Sequence, residues 1–171
     1  QFMNSMSRVY NECCEEKRRV EEENCPIIIK CGCPSSVPIS TTTDRPTITT
    51  IAAVTVDKSC LCDSVTKLDF ATNISTVNEG FMGTLSFRIF RQCNNQSIPV
   101  AVGSTWSRVI MAAGSMMVSF FICYLDSCEN DCCTYTVVLT ATATNAGVVT
   151  VSNASLAATV TCNNSCNKCV K

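Results

Sequence analysis

From Ile48 to Thr161 the chain is built of short runs in which apolar and polar residues alternate, and β-branched and aromatic residues dominate them. The pattern predicts strands over 48–56, 65–76, 83–91, 97–102, 105–111, 115–124, 133–144, 147–152 and 154–161. Period-two spacing places Leu85, Phe87 and Ile89 on one face, Met116, Val118, Phe120 and Ile122 on another, and Tyr135, Val137 and Leu139 on a third. Asn78-Glu79-Gly80, Asn94-Asn95, Gly103, Gly114, Asn145-Ala146-Gly147 and Asn153 punctuate the runs as turn residues. Short strands with turn signals every 8 to 15 residues predict an all-β, antiparallel sandwich of jelly-roll-like or Greek-key type. Within it, Met116–Val138 reads as two core strands joined by a cysteine-rich loop, with Cys123, Cys128, Cys132 and Cys133 inside eleven residues.

The ends of the chain break this pattern. Residues 1–24 form a charged arm in which Glu15 and Arg19 make a favourable i,i+4 pair. A short helix and an extended connector both fit it, since the apolar positions are too few to dock a helix firmly. Residues 25–47 contain Ile27-Ile28-Ile29, then Cys31-Gly32-Cys33, then a Pro/Ser/Thr stretch with Pro34, Pro38 and Pro46. Those prolines exclude helix and predict an extended linker. The domain proper spans 48–161, and residues 162–171 read as a polar, cysteine-rich tail.

Composition narrows the chemistry. The 171 residues carry 15 cysteines and no histidine. A chain this long can bury a core without disulfides, so the cysteines need not serve fold stability alone. The odd count forbids complete internal pairing. Without histidine the chain lacks the commonest general base, the His-activated nucleophiles and every mixed Cys/His zinc site, so an enzyme is not expected. A net charge of −1, with charge concentrated near residues 8–30, carries no nucleic-acid footprint. No apolar run reaches the roughly 18 to 20 residues of a membrane span, and residues 1–6 carry no apolar signal-type run.

Four cysteine groups carry the remaining chemistry. Cys13-Cys14 sits on the arm, and adjacent cysteines more naturally make two separate bonds than one strained vicinal bond. Cys31-Gly32-Cys33 and Cys60-Leu61-Cys62 place two thiols on one face of an extended strand, better set to grip a partner twice than to close on themselves. The Cys123, Cys128, Cys132, Cys133 group and the tail Cys162, Cys166 and Cys169 complete the set. Cys166-Asn167-Lys168-Cys169 has zinc spacing, but the sequence lacks a second C-x2-C, so disulfides are expected and no metal or cofactor. Asp126, Glu129, Asn130 and Asp131 do not match a calcium loop and read as a solvated acidic turn. Four sites, at Asn73, Asn95, Asn153 and Asn163, fit the glycosylation pattern by chance in so Asn/Ser/Thr-rich a chain, and Trp106 reads as a core aromatic.

An N-terminal arm bearing Cys13-Cys14, followed by a Thr/Val/Ala-rich β domain, resembles the endospore appendage fibre subunits of spore-forming Firmicutes. The stretch Phe120-Phe121-Ile122-Cys123 to Cys132-Cys133-Thr134-Tyr135-Thr136-Val137 resembles a cysteine-rich domain of clostridial proteins. The resemblance implies a subunit that self-assembles by head-to-tail and lateral contacts into an extracellular, disulfide-cross-linked fibre on the spore surface. An anchor protein of the spore coat or exosporium is the further partner it implies. The arm here is longer and more charged than that family's connectors, and the tail cysteines have no counterpart there. On this reading Cys13, Cys14, Cys31, Cys33, Cys60, Cys62, Cys132 and Cys133 are candidates for bonds between subunits. Cys123, Cys128, Cys162, Cys166 and Cys169 are candidates for bonds within the chain or its tail. The alternatives are a discrete jelly-roll module that binds carbohydrate or a receptor, and a thiol-rich metal-binding spore coat protein.

Overall fold

The computed structural model describes residues 27–58, 61, 63–126 and 132–162. The arm and most of the tail lie outside the described residues, as do Cys13, Cys14, Cys60, Cys62, Cys128, Cys166 and Cys169. The described residues form nine strands: β1 (Ile28–Cys31), β2 (Ser35–Ser40), β3 (Thr47–Asp57), β4 (Ser64–Thr76), β5 (Met82–Cys93), β6 (Val100–Ile110), β7 (Gly114–Asp126), β8 (Cys132–Asn145) and β9 (Val148–Cys162). All pairings are antiparallel. The first sheet runs β1-β9-β4-β7, with β2 continuing β1 along the same partner, and the second runs β3-β8-β5-β6. Apart from the β5–β6 hairpin, successive strands from β2 to β9 alternate between the sheets. This is the jelly-roll order, with its first strand broken in two.

The alternation read in the sequence becomes the two faces of each sheet. Leu68, Phe70, Ile74, Val151, Leu156 and Val160 from the first sheet meet Val56, Leu85, Phe87, Tyr135, Val137 and Leu139 from the second, all buried. Each large side chain so buried contributes roughly 1.5–3 kcal/mol, which outweighs the weak β preference of the Ala residues, while the β-branched Thr residues favour the strands themselves. Phe70, Phe87 and Phe120 form an aromatic cluster with ring centroids 5.3 to 6.5 Å apart. The turn read from Asn78-Glu79-Gly80 carries the chain from β4 in the first sheet to β5 in the second, with Glu79 at φ 57° and the Gly80 N–H donating to Val77 O at 3.1 Å.

The structure corrects the reading in four places. Two segments of the expected linker are sheet: β1 and β2 pair with β9 from Ile28↔Val160 to Ser40↔Val148. Proline had suggested a connector, yet Pro38 is tolerated because an edge strand needs hydrogen bonds on one side only. Residues 97–102 and 105–111 are one strand, β6, because Gly103 makes a bulge at φ 70° opposite Phe87/Ile89 rather than a turn. Residues 147–152 and 154–161 are likewise one strand, β9. Asn153, at φ 52°, is a bulge that shifts the register against both β2 and β4. Finally, β7 and β8 are not two equivalent core strands: β8 is central in the second sheet, whereas β7 is an edge of the first and exposes one face.

Candidate functional site

Free thiols stand on both margins of the first sheet. On β7, Val118 and Asp126 are buried and Phe120, Ile122 and Tyr124 half-buried toward the core, so the alternate residues Met117, Phe121, Cys123 and Leu125 face outward. On the opposite margin Cys31 ends β1 directly across from Ala157, whose neighbours Leu156 and Ala158 point into the core, so Cys31 shares that outer face. Cys33 follows one residue beyond Gly32, and is also exposed and free. Gly32 is required there because a Cβ would lie 2.1 Å from Ala53 O, and its N–H is tied to Leu156 O at 2.8 Å. Cys31, Cys33 and Cys123 are therefore unpaired, accessible and carried by fixed backbone. Cys132, also free, is half-buried at the start of β8 opposite Asp57.

Two cysteines sit elsewhere than the sequence suggested. Cys133, a candidate for a bond between subunits, is disulfide-bonded to Cys93 in its own chain. The pair is in direct register between β5 and β8, and both residues are buried, so no second chain reaches them. Cys93 lies 40 residues from Cys133 in sequence, and only the pairing of β5 with β8 brings the two opposite each other. Cys123, a candidate for an internal bond, faces solvent as a free thiol. Cys162, at the end of β9, is disulfide-bonded.

The same end of the sandwich holds a buried ionic cluster. Lys58 follows β3, Asp126 ends β7, Arg91 lies near the end of β5, and Tyr135 lies near the start of β8. The Lys58 Nζ pairs with Asp126 Oδ2, and both side chains are 1% exposed. Arg91 Nη1 donates to the other carboxylate oxygen, Oδ1, at 2.8 Å. Lys58 Nζ also donates to the Tyr135 hydroxyl at 3.2 Å, the Tyr124 hydroxyl lies 3.5 Å from Oδ2, and the two tyrosine hydroxyls are hydrogen-bonded to each other. Burial pushes the Tyr124 hydroxyl far above its ordinary value, and the adjacent Tyr135 adds to the shift. Asp126 is thus not part of a solvated acidic turn. It is a core carboxylate, and no local sequence signal marks a charged residue whose partners lie 35 and 68 positions away.

Between the thiol margins, Asp69, Ala71, Ser119, Phe121, Ser155 and Ala157 line an open groove of about 430 Å3. The small residues on β4 and β9 leave the space, and Phe121 walls one side with the Lys67 ammonium 5.2 Å over its ring. Trp106 is not the core aromatic expected: it is 41% exposed on the edge strand β6, stacked on Phe120 at 6.0 Å.

The model of a domain of unknown function, DUF4489, matches residues 25–161. No curated protein matches the sequence. Among solved structures, that of the infectious bursal disease virus Gt strain has a TM-score of 0.53 at 10% identity over 81% of this chain. The crystal structure of an infectious bursal disease virus VP2 subviral particle gives 0.50 at 12% identity over 81%. This chain spans 37% and 36% of those chains. The likeness is one of fold: a jelly-roll sandwich.

Proposed function

The chain belongs to the DUF4489 family, and we propose that it is a structural subunit that self-assembles into an extracellular, disulfide-cross-linked fibre on the spore surface. The observation that carries this reading is the division of labour among the cysteines. The Cys93–Cys133 bond is buried and needs no other chain, while Cys31, Cys33 and Cys123 stand free on the margins of one sheet. Exposed thiols on rigid edge strands are accessible to a neighbour's thiolate or disulfide, and edge strands offer unpaired backbone for lateral contact. Head-to-tail contacts between unlike surfaces give an open polymer. The arm with Cys13 and Cys14 supplies the reach on this reading, and the resemblance to endospore appendage subunits points to the spore surface, with a coat or exosporium protein as anchor. Electron microscopy of native spores paired with non-reducing gels tests it: fibres and a ladder that reductant collapses are expected, and a clean monomer band without reductant overturns it.

A second reading rests on the groove. Small side chains beside Phe121 and Asp69 offer an aromatic wall and a polar acceptor to a sugar ring. Retention of a stable, unpolymerised protein on a glycan array, lost in Phe121→Ala, favours that binding module over the fibre.

A further inference from the structure

We propose that Lys58 and Asp126 are joined by an intramolecular isopeptide bond that ties the two sheets together. Lys58 leaves β3 of the second sheet and Asp126 ends β7 of the first, so their side chains meet across the sandwich, each 1% exposed. The disulfide lies within the second sheet, and the amide supplies a covalent tie between the sheets that it does not.

The groups around the pair match what amide formation needs. Amine and carboxyl are held in contact by the strands, which removes the entropic barrier to a bimolecular condensation. The two carboxylate oxygens are distinguished: Oδ1 is held by Arg91 at 2.8 Å, and Oδ2 faces Lys58 and Tyr124. Arg91 therefore polarises the oxygen that becomes the amide carbonyl and stabilises its negative charge in the tetrahedral intermediate. The Tyr135 hydroxyl, 3.2 Å from Nζ, and the Tyr124 hydroxyl, 3.5 Å from Oδ2, are bonded to each other and form a proton path between nucleophile and leaving oxygen.

In the step, one proton passes from the Nζ ammonium to Oδ2 across their contact. The freed amine lone pair attacks Cγ, and the C–O π electrons move onto Oδ1 beside Arg91. A second proton leaves Nζ for Tyr135, which relays one through Tyr124 to Oδ2. The Cγ–Oδ2 bond then breaks and Oδ2 departs as water, while the Nζ–Cγ bond remains as a neutral amide with one N–H. No oxidant or co-reactant enters. The site excludes water, and replacing a buried ion pair by a neutral amide removes the desolvation penalty of two charges.

The test is the intact mass of the full chain after complete reduction of its disulfides. The expected value is the sequence mass less one water, and tandem mass spectrometry of a digest should show a branched peptide joining Lys58 to Asp126. Lys58→Arg keeps a cation opposite Asp126 but should restore the full mass, and Arg91→Gln should slow linkage by about a hundredfold. The full sequence mass in the unmutated protein overturns the proposal without reference to any variant. So does a water loss confined to the Asp126 peptide, which marks a cyclic imide.

Discussion

Tyr124 shows how far a single side chain departs from its sequence neighbourhood. It lies in a run of apolar residues, yet its hydroxyl sits among Asp126, Tyr135 and Arg91, whose guanidinium stands 5.7 Å over its ring. Burial raises its titration well above the ordinary value, so above about pH 10 the folded protein keeps a proton that the unfolded chain releases. Its contribution to stability is complete below that pH and declines as pH rises beyond it. Melting temperature should therefore fall between about pH 9.5 and 11.5, and in Tyr124→Phe that dependence should flatten. An unchanged slope in the variant would assign the alkaline loss to another group. Alternation told which side of β7 Tyr124 faces; the charged partners waiting there belong to other strands and left no local trace.

At the level of elements, the pairing of β5 with β8 does most to hold the second sheet. It places Phe87 beside Leu139, Ile89 beside Val137 and Cys93 beside Cys133. The disulfide closes a loop of 40 residues, for which chain-entropy arguments give a stabilisation of about 3–4 kcal/mol. The double variant Cys93→Ala/Cys133→Ala should lose about that much in denaturant unfolding while keeping its far-ultraviolet spectrum. The strands themselves were legible, because β-branched and aromatic residues at period two have one stable arrangement, half-buried on a pleated sheet. Their continuity was not. Gly103 and Asn153 carry the same local signal in a bulge as in a turn, and only the partners on either side keep β6 and β9 whole.

For the molecule as a whole, the first sheet carries free thiols on both margins, Cys31 on β1 and Cys123 on β7, where Phe121 and Leu125 flank Cys123 and are exposed at 64% and 67%. In Cys31→Ser/Cys33→Ser/Cys123→Ser the reductant-sensitive ladder should disappear while the melting temperature stays close to that of the parent, since none of the three is bonded within the subunit. A ladder that persists in this variant would move the cross-links to other cysteines. The opposite result is expected of the Cys93/Cys133 variant, which should melt earlier and still polymerise.

The sequence by itself determined the class of fold, the inward faces of β5, β7 and β8, and the absence of histidine. Those follow from periodicity and composition, which are local properties of the chain. Which of the described cysteines are bonded and which are free, whether Pro38 leads away from the domain or along its edge, and where Lys58, Arg91 and Asp126 meet were decided by tertiary structure alone. Each depends on residues tens of positions apart becoming neighbours across strands, and the register that brings them together is set by burial of the whole core rather than by any segment of it.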